Sequence, residues 1–144
     1  MMDGPGGRAT GMSVFDPDCV SREVLEHATG RWGSLVLAAL VDGPLRFAQV
    51  KRAVDGITDR MLSRTLQRLE ADGLVDRSRS ELDARGVDYK LSHLGDPIAQ
   101  SVCDLIDAIY RVLPGIVAYQ RNLHHAGHQS EISLGRSKAA GDII

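Results

Sequence analysis

Hydrophobic positions along the chain fall into blocks whose spacing passes from helical to strand-like and back. Val20, Val24, Leu25 and Ala28 follow helical spacing. Asp16 and Pro17 ahead of them read as an N-cap and a first helical position, with Gly30 as the end. Residues 32–41 form a second helix, apolar without a break from Leu35 to Val41, the pattern of a buried central helix. Asp42-Gly43-Pro44 terminates it. Leu45-Arg46-Phe47 is then a short extended stretch, residues 48–54 a short helix, and Asp55-Gly56-Ile57 a tight turn. Thr58 caps the next helix, which runs to Ala71 with Leu62, Leu66 and Leu69 on one side and ends at Gly73.

Alternation replaces helical spacing after Gly73. Residues 74–80 read as one strand and residues 81–86 as a loop. Val87, Tyr89 and Leu91 alternate with Asp88 and Lys90, the period of a half-buried second strand. A long helix starts at Ser92 or at Asp96-Pro97 and passes residue 112, and Pro114 is expected to kink or break it. It carries two parallel apolar stripes, one through Ile98, Val102, Leu105 and Ile109, the other through Ala99, Cys103, Ile106, Tyr110 and Leu113. One stripe serves to cover a small core. Two imply a partner helix, and a second copy of the chain is the economical choice. The expected dimer interface is Val102, Leu105, Ile106, Ile109, Tyr110 and Leu113, with Val20 and Val24 of the first helix. A long helix buried within a single domain is the alternative.

The fold class expected is mainly α with a small β-hairpin (α+β). A helix, a glycine turn, a capped helix and a hairpin, in that order, suit a winged helix-turn-helix with a long C-terminal dimerisation helix, although other small α+β domains share the order. Residues 1–15, rich in glycine, are expected to be a disordered N-terminal arm, residues 16–121 the winged helix-turn-helix domain with its dimerisation helices, and residues 122–144 a flexible tail.

Composition narrows the class little. The chain has 144 residues, 43% hydrophobic and 25% charged, enough for one modest core. No apolar run reaches the ~20 residues of a membrane span, and the first ten residues lack the apolar segment of a secretory signal. Two cysteines are too few for a disulfide scaffold, so a reducing, cytoplasmic setting is expected. The net charge of −2 argues at first against nucleic acid. Its distribution is uneven: residues 1–44 hold three Arg against six acids (−3), residues 45–90 ten Lys or Arg against eight acids (+2), and residues 91–144 four against five (−1). A basic footprint must therefore come from the face on which the arginines stand.

Opposite the leucines of the 58–71 helix lie Arg60, Ser63, Arg64 and Gln67, with Arg68 near the edge. Arg pairs bidentately with guanine and Gln with adenine in the major groove, and a helix start such as Thr58 favours phosphate. A solvated face with ion pairs such as Arg68–Asp72 is the alternative. Arg77, Arg79 and Arg85 stand on the hairpin, where phosphate contact or minor-groove insertion competes with pairing to Asp76, Glu81 or Asp83. Lys51 and Arg52 are further phosphate contacts or plain surface. Cys19, placed in a first helical turn by an Asp16 cap and close to Arg22, is a candidate redox-sensing thiol, opposed by Asp16 and Asp18. An inert side chain near the dimer interface is the other reading. Cys103 sits in an apolar stripe. His124 and His128 have metal-ligand spacing on a helix, but no third ligand is evident, so no metal and no cofactor is expected. No nucleophile–base set, phosphate loop or nucleotide fingerprint stands out, and an enzyme is not expected.

The stretch from Cys19 to about Gln100 resembles the HxlR-type regulators, relatives of the broader MarR group. The matching pieces are Cys19, Gly30-Arg31-Trp32, Asp42-Gly43-Pro44 with Arg46-Phe47, Gly56-Ile57-Thr58 with Met61-Leu62, Leu66 with Leu69 to Val75, and Tyr89 to Ser92 with Leu94-Gly95. Val20 in place of a frequent proline, a wing without the usual prolines, and Asp59 at a helix start depart from the pattern. The resemblance implies a homodimeric repressor that binds double-stranded DNA at an inverted repeat. Thr58, Arg60, Ser63, Arg64, Gln67, Arg68, Arg77, Arg79 and Arg85 would touch the duplex. It also implies an oxidant, electrophile or small-ligand effector, with Cys19 as the thiol that senses oxidants in some members. The competing expectation is a winged-helix module for protein–protein contact without DNA, motivated by the net charge and by Asp59, Asp76 and Asp83 beside the arginines.

Overall fold

A computed structural model describes the backbone of residues 12–139 and the side chains through residue 130. Residues 1–11 of the expected arm and 140–144 of the expected tail lie outside the described residues. Among the described residues the order is α1 (Val20–Thr29), α2 (Gly33–Ala39), β1 (Leu45–Arg46), α3 (Phe47–Ala53), α4 (Asp59–Ala71), β2 (Val75–Arg79), β3 (Val87–Leu91) and α5 (Gly95–Ala139). The chain divides into two compact units, residues 1–104 and 105–144.

In the first unit, Val36, Leu37 and Leu40 of the α2 segment are buried with Val50 of α3 and the stripe Leu62, Leu66 and Leu69 of α4. Leu35 departs from the expected all-round burial: it is 42% exposed, so α2 has a solvent side. The hairpin gains a third strand. β1 pairs with β3 and β3 with β2, both antiparallel, in the order β1-β3-β2, with Arg46 opposite Asp88 and Arg77 opposite Tyr89.

The ends of α4 are fixed by local chemistry. Thr58 Oγ1 accepts from the Met61 amide at 3.2 Å. At the other end Gly73 adopts φ +79°, and the amides of Gly73 and Leu74 reach back to the carbonyls of Glu70 (3.0 Å) and Leu69 (2.9 Å). That pair closes the helix in a Schellman motif. Ser92 then ties three elements together. Its hydroxyl donates to the Gly73 carbonyl at 2.5 Å and accepts from the Leu94 and Gly95 amides at the start of α5. Gly95 packs so closely on Leu74 that a Cβ there would overlap the Leu74 carbonyl.

Three expectations shift. α1 begins at Val20, not at Pro17, because Asp16 spends its carboxylate on the Asp18 amide (3.0 Å) in a preceding turn. Cys19 is therefore the N-cap residue. Residues 13–15 are tied down: Ser13 accepts from the amides of Phe15 and Asp16, and Arg22 reaches the Val14 carbonyl. Finally, α5 continues through Pro114 as far as Ala139, so residues 122–139, expected as tail, are helical. Around Pro114 the helix is exposed, so water can satisfy the carbonyl that the missing N–H leaves free.

In the second unit the α5 residues Leu105, Ile109, Tyr110 and Leu113 are exposed, Tyr110 by 67%. Val102 is a correction to the expected interface. It is only 7% exposed and belongs, with Ala99, to the buried interior of the first unit, which leaves it little surface for a partner. Val24 likewise packs on that core, whereas Val20 is exposed and Ile106 half-buried.

Candidate nucleic-acid interface

The leucine stripe fixes which way α4 faces. With Leu62, Leu66 and Leu69 inward, the 100° step per residue turns Arg60, Arg64 and Gln67 outward. All three are exposed, as are Thr58 and Ser63. The flanks of the helix differ. Ser63 and Gln67 open on a cleft shared with Glu70, Arg77 of β2 and Tyr89 of β3. Thr65 and Arg68 turn the other way, into a cavity beside His27, Arg31 and Trp32. The structure thus brings Ser63, Gln67 and Arg77 together and sets Arg68 apart from them.

Pairing separates the arginines further. Among the described residues, Arg60, Arg64, Arg68, Arg77, Arg79 and Arg85 form no ion pair. The alternative partner for Arg68 is taken: Asp72 binds His27 Nδ1 at 2.6 Å and links α1 to the end of α4. Asp59 is held by Lys51. Asp83 and Asp88 are both held by Arg46, at 3.4 and 2.9 Å.

Arg46 is the structural residue that sequence reasoning missed. From β1 it grips the loop between β2 and β3 and β3 itself, and its guanidinium fills the space where Gly86 has no Cβ. The Arg85 amide donates to Asp83 Oδ1 at 3.1 Å, and the Gly86 amide to the Asp83 carbonyl at 3.0 Å. The Arg85 amide, and after it the Arg46 guanidinium, hold the Asp83 carboxyl below its ordinary value. The loop tip that carries Arg85 is therefore a built turn. A basic residue in the extended stub, with two acids in and after the loop, was the available signal. Arg79 lines a groove along this arm with Arg46, Gln49 and Lys90.

Cys19 is half-buried, and its thiol sits below the ordinary value. The largest cause is the Ser21 hydroxyl, 3.1 Å from Sγ, followed by the Ser21 amide, while Asp16 opposes. Arg22, expected to help, is turned to Glu26 at 2.9 Å. No group of three or more metal-ligating side chains is gathered among the described residues, and no helix among them is long and apolar enough to cross a membrane.

Three helices around a leucine core, a capped helix with an exposed arginine side, and a three-stranded arm define a winged helix-turn-helix transcriptional regulator. The chain belongs to the HxlR-like helix-turn-helix family, whose model matches residues 27–115. It is 40% identical over 106 residues to the HTH-type transcriptional regulator YtfH of Escherichia coli, across 74% of this chain and 84% of that one. The solved structure of the transcriptional regulator ytfH from Salmonella typhimurium is 39% identical, with a TM-score of 0.69 over 76% of this chain and 98% of that chain. The redox regulator HypR in its reduced form is 26% identical, with a TM-score of 0.60 over 68% and 97%.

Proposed function

We propose that this regulator binds a specific DNA sequence as a homodimer, with α4 in the major groove and the β2–β3 arm against the backbone or minor groove. The observation that carries this reading is the outward face of α4, where Arg60 and Arg64 stand exposed and without carboxylate partners over a buried leucine stripe. Two of the three acids that argued for a protein-binding module lose force, because Lys51 pairs with Asp59 and Arg46 with Asp83; Asp76 has no ion pair among the described residues. The formal charge of −2 then does not describe the α4 face.

The second copy docks along α5, on Leu105, Ile109, Tyr110 and Leu113. Two-fold symmetry spaces the two α4 helices for half-sites about one DNA turn apart, ~34 Å, so the operator is an imperfect inverted repeat. Occupying a promoter in this way represses it, in the cytoplasm where the chromosome lies. Cys19, with its thiol favoured as thiolate by Ser21, is the point at which an oxidant or electrophile acts. The likeness to the redox regulator HypR supports that assignment.

Selection of bound duplexes from a random pool tests the reading. The expected result is a two-fold motif, bound with an affinity that falls steeply with salt as phosphate contacts release counterions. Arg64→Ala should weaken the selected site by about 1–3 kcal/mol and relax one position of each half-site. An absence of salt-sensitive binding at micromolar protein would make the fold a protein-contact module instead.

A further inference from the structure

Leu82 stands in the loop between β2 and β3 and is 98% exposed, more than any other large apolar side chain among the described residues; the next, Phe15, is 70% exposed. A single exposed leucine is ordinary on a protein surface. What sets this one apart is the loop that carries it. The Leu82 amide donates to Ser80 Oγ at 3.2 Å, and the Ser80 amide donates to the Gly86 carbonyl at 2.8 Å, with Ser80 itself buried. On the far side of Leu82, Asp83 accepts from the Arg85 and Gly86 amides and is gripped by Arg46. The backbone on both sides of Leu82 is thus fixed, while its side chain is spent on nothing inside the fold.

The charges around it indicate what it meets. From Arg79 to Lys90, two of the three acids, Asp83 and Asp88, are taken by Arg46. Arg79, Arg85 and Lys90 form no ion pair among the described residues, against one unpaired acid, Glu81. An apolar tip ringed by free cations suits a groove with phosphates along its walls and a base stack at its floor. The minor groove of a duplex, about 6 Å wide, admits a loop tip and excludes a helix. Apolar side chains that enter it part the bases of one step and kink the duplex.

We infer that Leu82 is such a wedge. With α4 in the major groove, it enters the neighbouring minor groove and opens one base step beside each half-site, while Arg79 and Arg85 hold the flanking phosphates. This rests on the DNA contact proposed above and adds to it a residue that reads sequence without a hydrogen bond. Pyrimidine–purine steps, TA and CA/TG, unstack most easily. Leu82 therefore selects such a step where it enters, outside the bases that α4 faces.

The test uses the full chain and the duplex recovered from the random pool, with 2-aminopurine placed at successive positions flanking each half-site. The parent should brighten the reporter at one position per half-site, where it leaves the stack. Leu82→Asn should abolish the brightening and weaken binding about tenfold, because a polar side chain gains little from the base stack. Leu82→Met, apolar and flexible, should retain both. At a position so exposed these variants should keep the parent's urea midpoint. The slope of affinity against salt should be unchanged in Leu82→Asn and shallower by about one in Arg85→Ala, because only the arginine displaces a counterion. Selection repeated with Leu82→Asn should lose the preference for TA or CA/TG at the brightened position. Salt-sensitive binding by the parent without brightening, or brightening and affinity that survive Leu82→Asn, overturns the wedge and leaves the DNA reading standing. A salt slope that falls in Leu82→Asn makes the tip a backbone contact and likewise overturns the wedge. No salt-sensitive binding by the parent overturns both.

Discussion

Gly86 can be turned into a test of the Arg46 latch, because the effect of one substitution should depend on the other residue. A Cβ at Gly86 would overlap the Arg46 guanidinium, whose atoms are its three nearest neighbours. Gly86 is not among the positive-φ glycines, which are Gly43, Gly56 and Gly73, so alanine meets no left-handed backbone there. On entropy alone, Gly86→Ala stabilises by about 0.4–1 kcal/mol through the unfolded chain. In the native chain, however, the guanidinium must move. The guanidinium is the flexible end of a part-exposed side chain and can swing aside, but its pair with Asp88, directly opposite across β1–β3 at 2.9 Å, is then lost. Loss of that part-exposed pair costs about 0.5–1 kcal/mol, which offsets the entropic gain and leaves the variant about as stable as the parent. In an Arg46→Ala background the obstacle is gone and the same alanine should stabilise. The coupling between the two sites is therefore about 0.5–1 kcal/mol. Urea unfolding of the four chains at one fixed protein concentration, followed by Trp32 fluorescence, measures it. An equal effect of Gly86→Ala in both backgrounds would refute the latch.

Four further outcomes are expected. Ser21→Ala removes the hydroxyl that most lowers the Cys19 thiol, so alkylation of Cys19 by iodoacetamide at neutral pH should slow; an unchanged rate contradicts that cause. Asp83 has a depressed folded value, so its stabilisation of the loop is complete above the unfolded carboxylate pKa and disappears as pH falls through the lower folded one. Exchange protection of the Arg85 amide should fall in that acid window, and Asp83→Asn should abolish the pH dependence. Leu66→Ala, at a residue 2% exposed, should cost about 2–5 kcal/mol, and Thr58→Ala about 1 kcal/mol; urea midpoints that stay put for both would contradict the assigned core and cap. Ile109→Glu with Leu113→Glu should give a monomer by sedimentation, and a persisting dimer would relocate the interface.

What the sequence revealed and what it hid divide along the range of the interactions involved. The bounds of α4 were legible because a cap at Thr58, a left-handed glycine at 73 and a leucine stripe are each read within a few residues. β3 was legible because the alternation of Val87, Tyr89 and Leu91 is local too. The start of α1 was misplaced by a rule of the same short range. Asp16 has the chemistry of a cap, but it caps a turn one step earlier, at the Asp18 amide. Partner choice was not legible. Asp72 lies four residues from Arg68 on the same stretch of chain, yet it pairs with His27, 45 residues away. Arg46 looked like one more surface cation until the β1–β3 register put Asp88 opposite it.

Those long-range choices sort the arginines, and the sorting is where the functional argument rests. Counting charge gives residues 45–90 an excess of only two, which decides nothing. The structure assigns Arg46 to a latch, Arg68 to a cavity wall, and Arg60 and Arg64 to open water on α4. Meanwhile α4 is held at its far end by two ties, His27 to Asp72 and Ser92 to the Gly73 carbonyl. A helix whose backbone is fixed in this way would lose less ordering entropy on the proposed contact with a duplex. The same ties lead to α1, whose N-cap position is Cys19, and to the first turn of α5. A change at either place therefore has a hydrogen-bonded route to the end of α4, and if the proposed DNA contact holds, loosening either tie should lower the affinity for a duplex even though neither touches it.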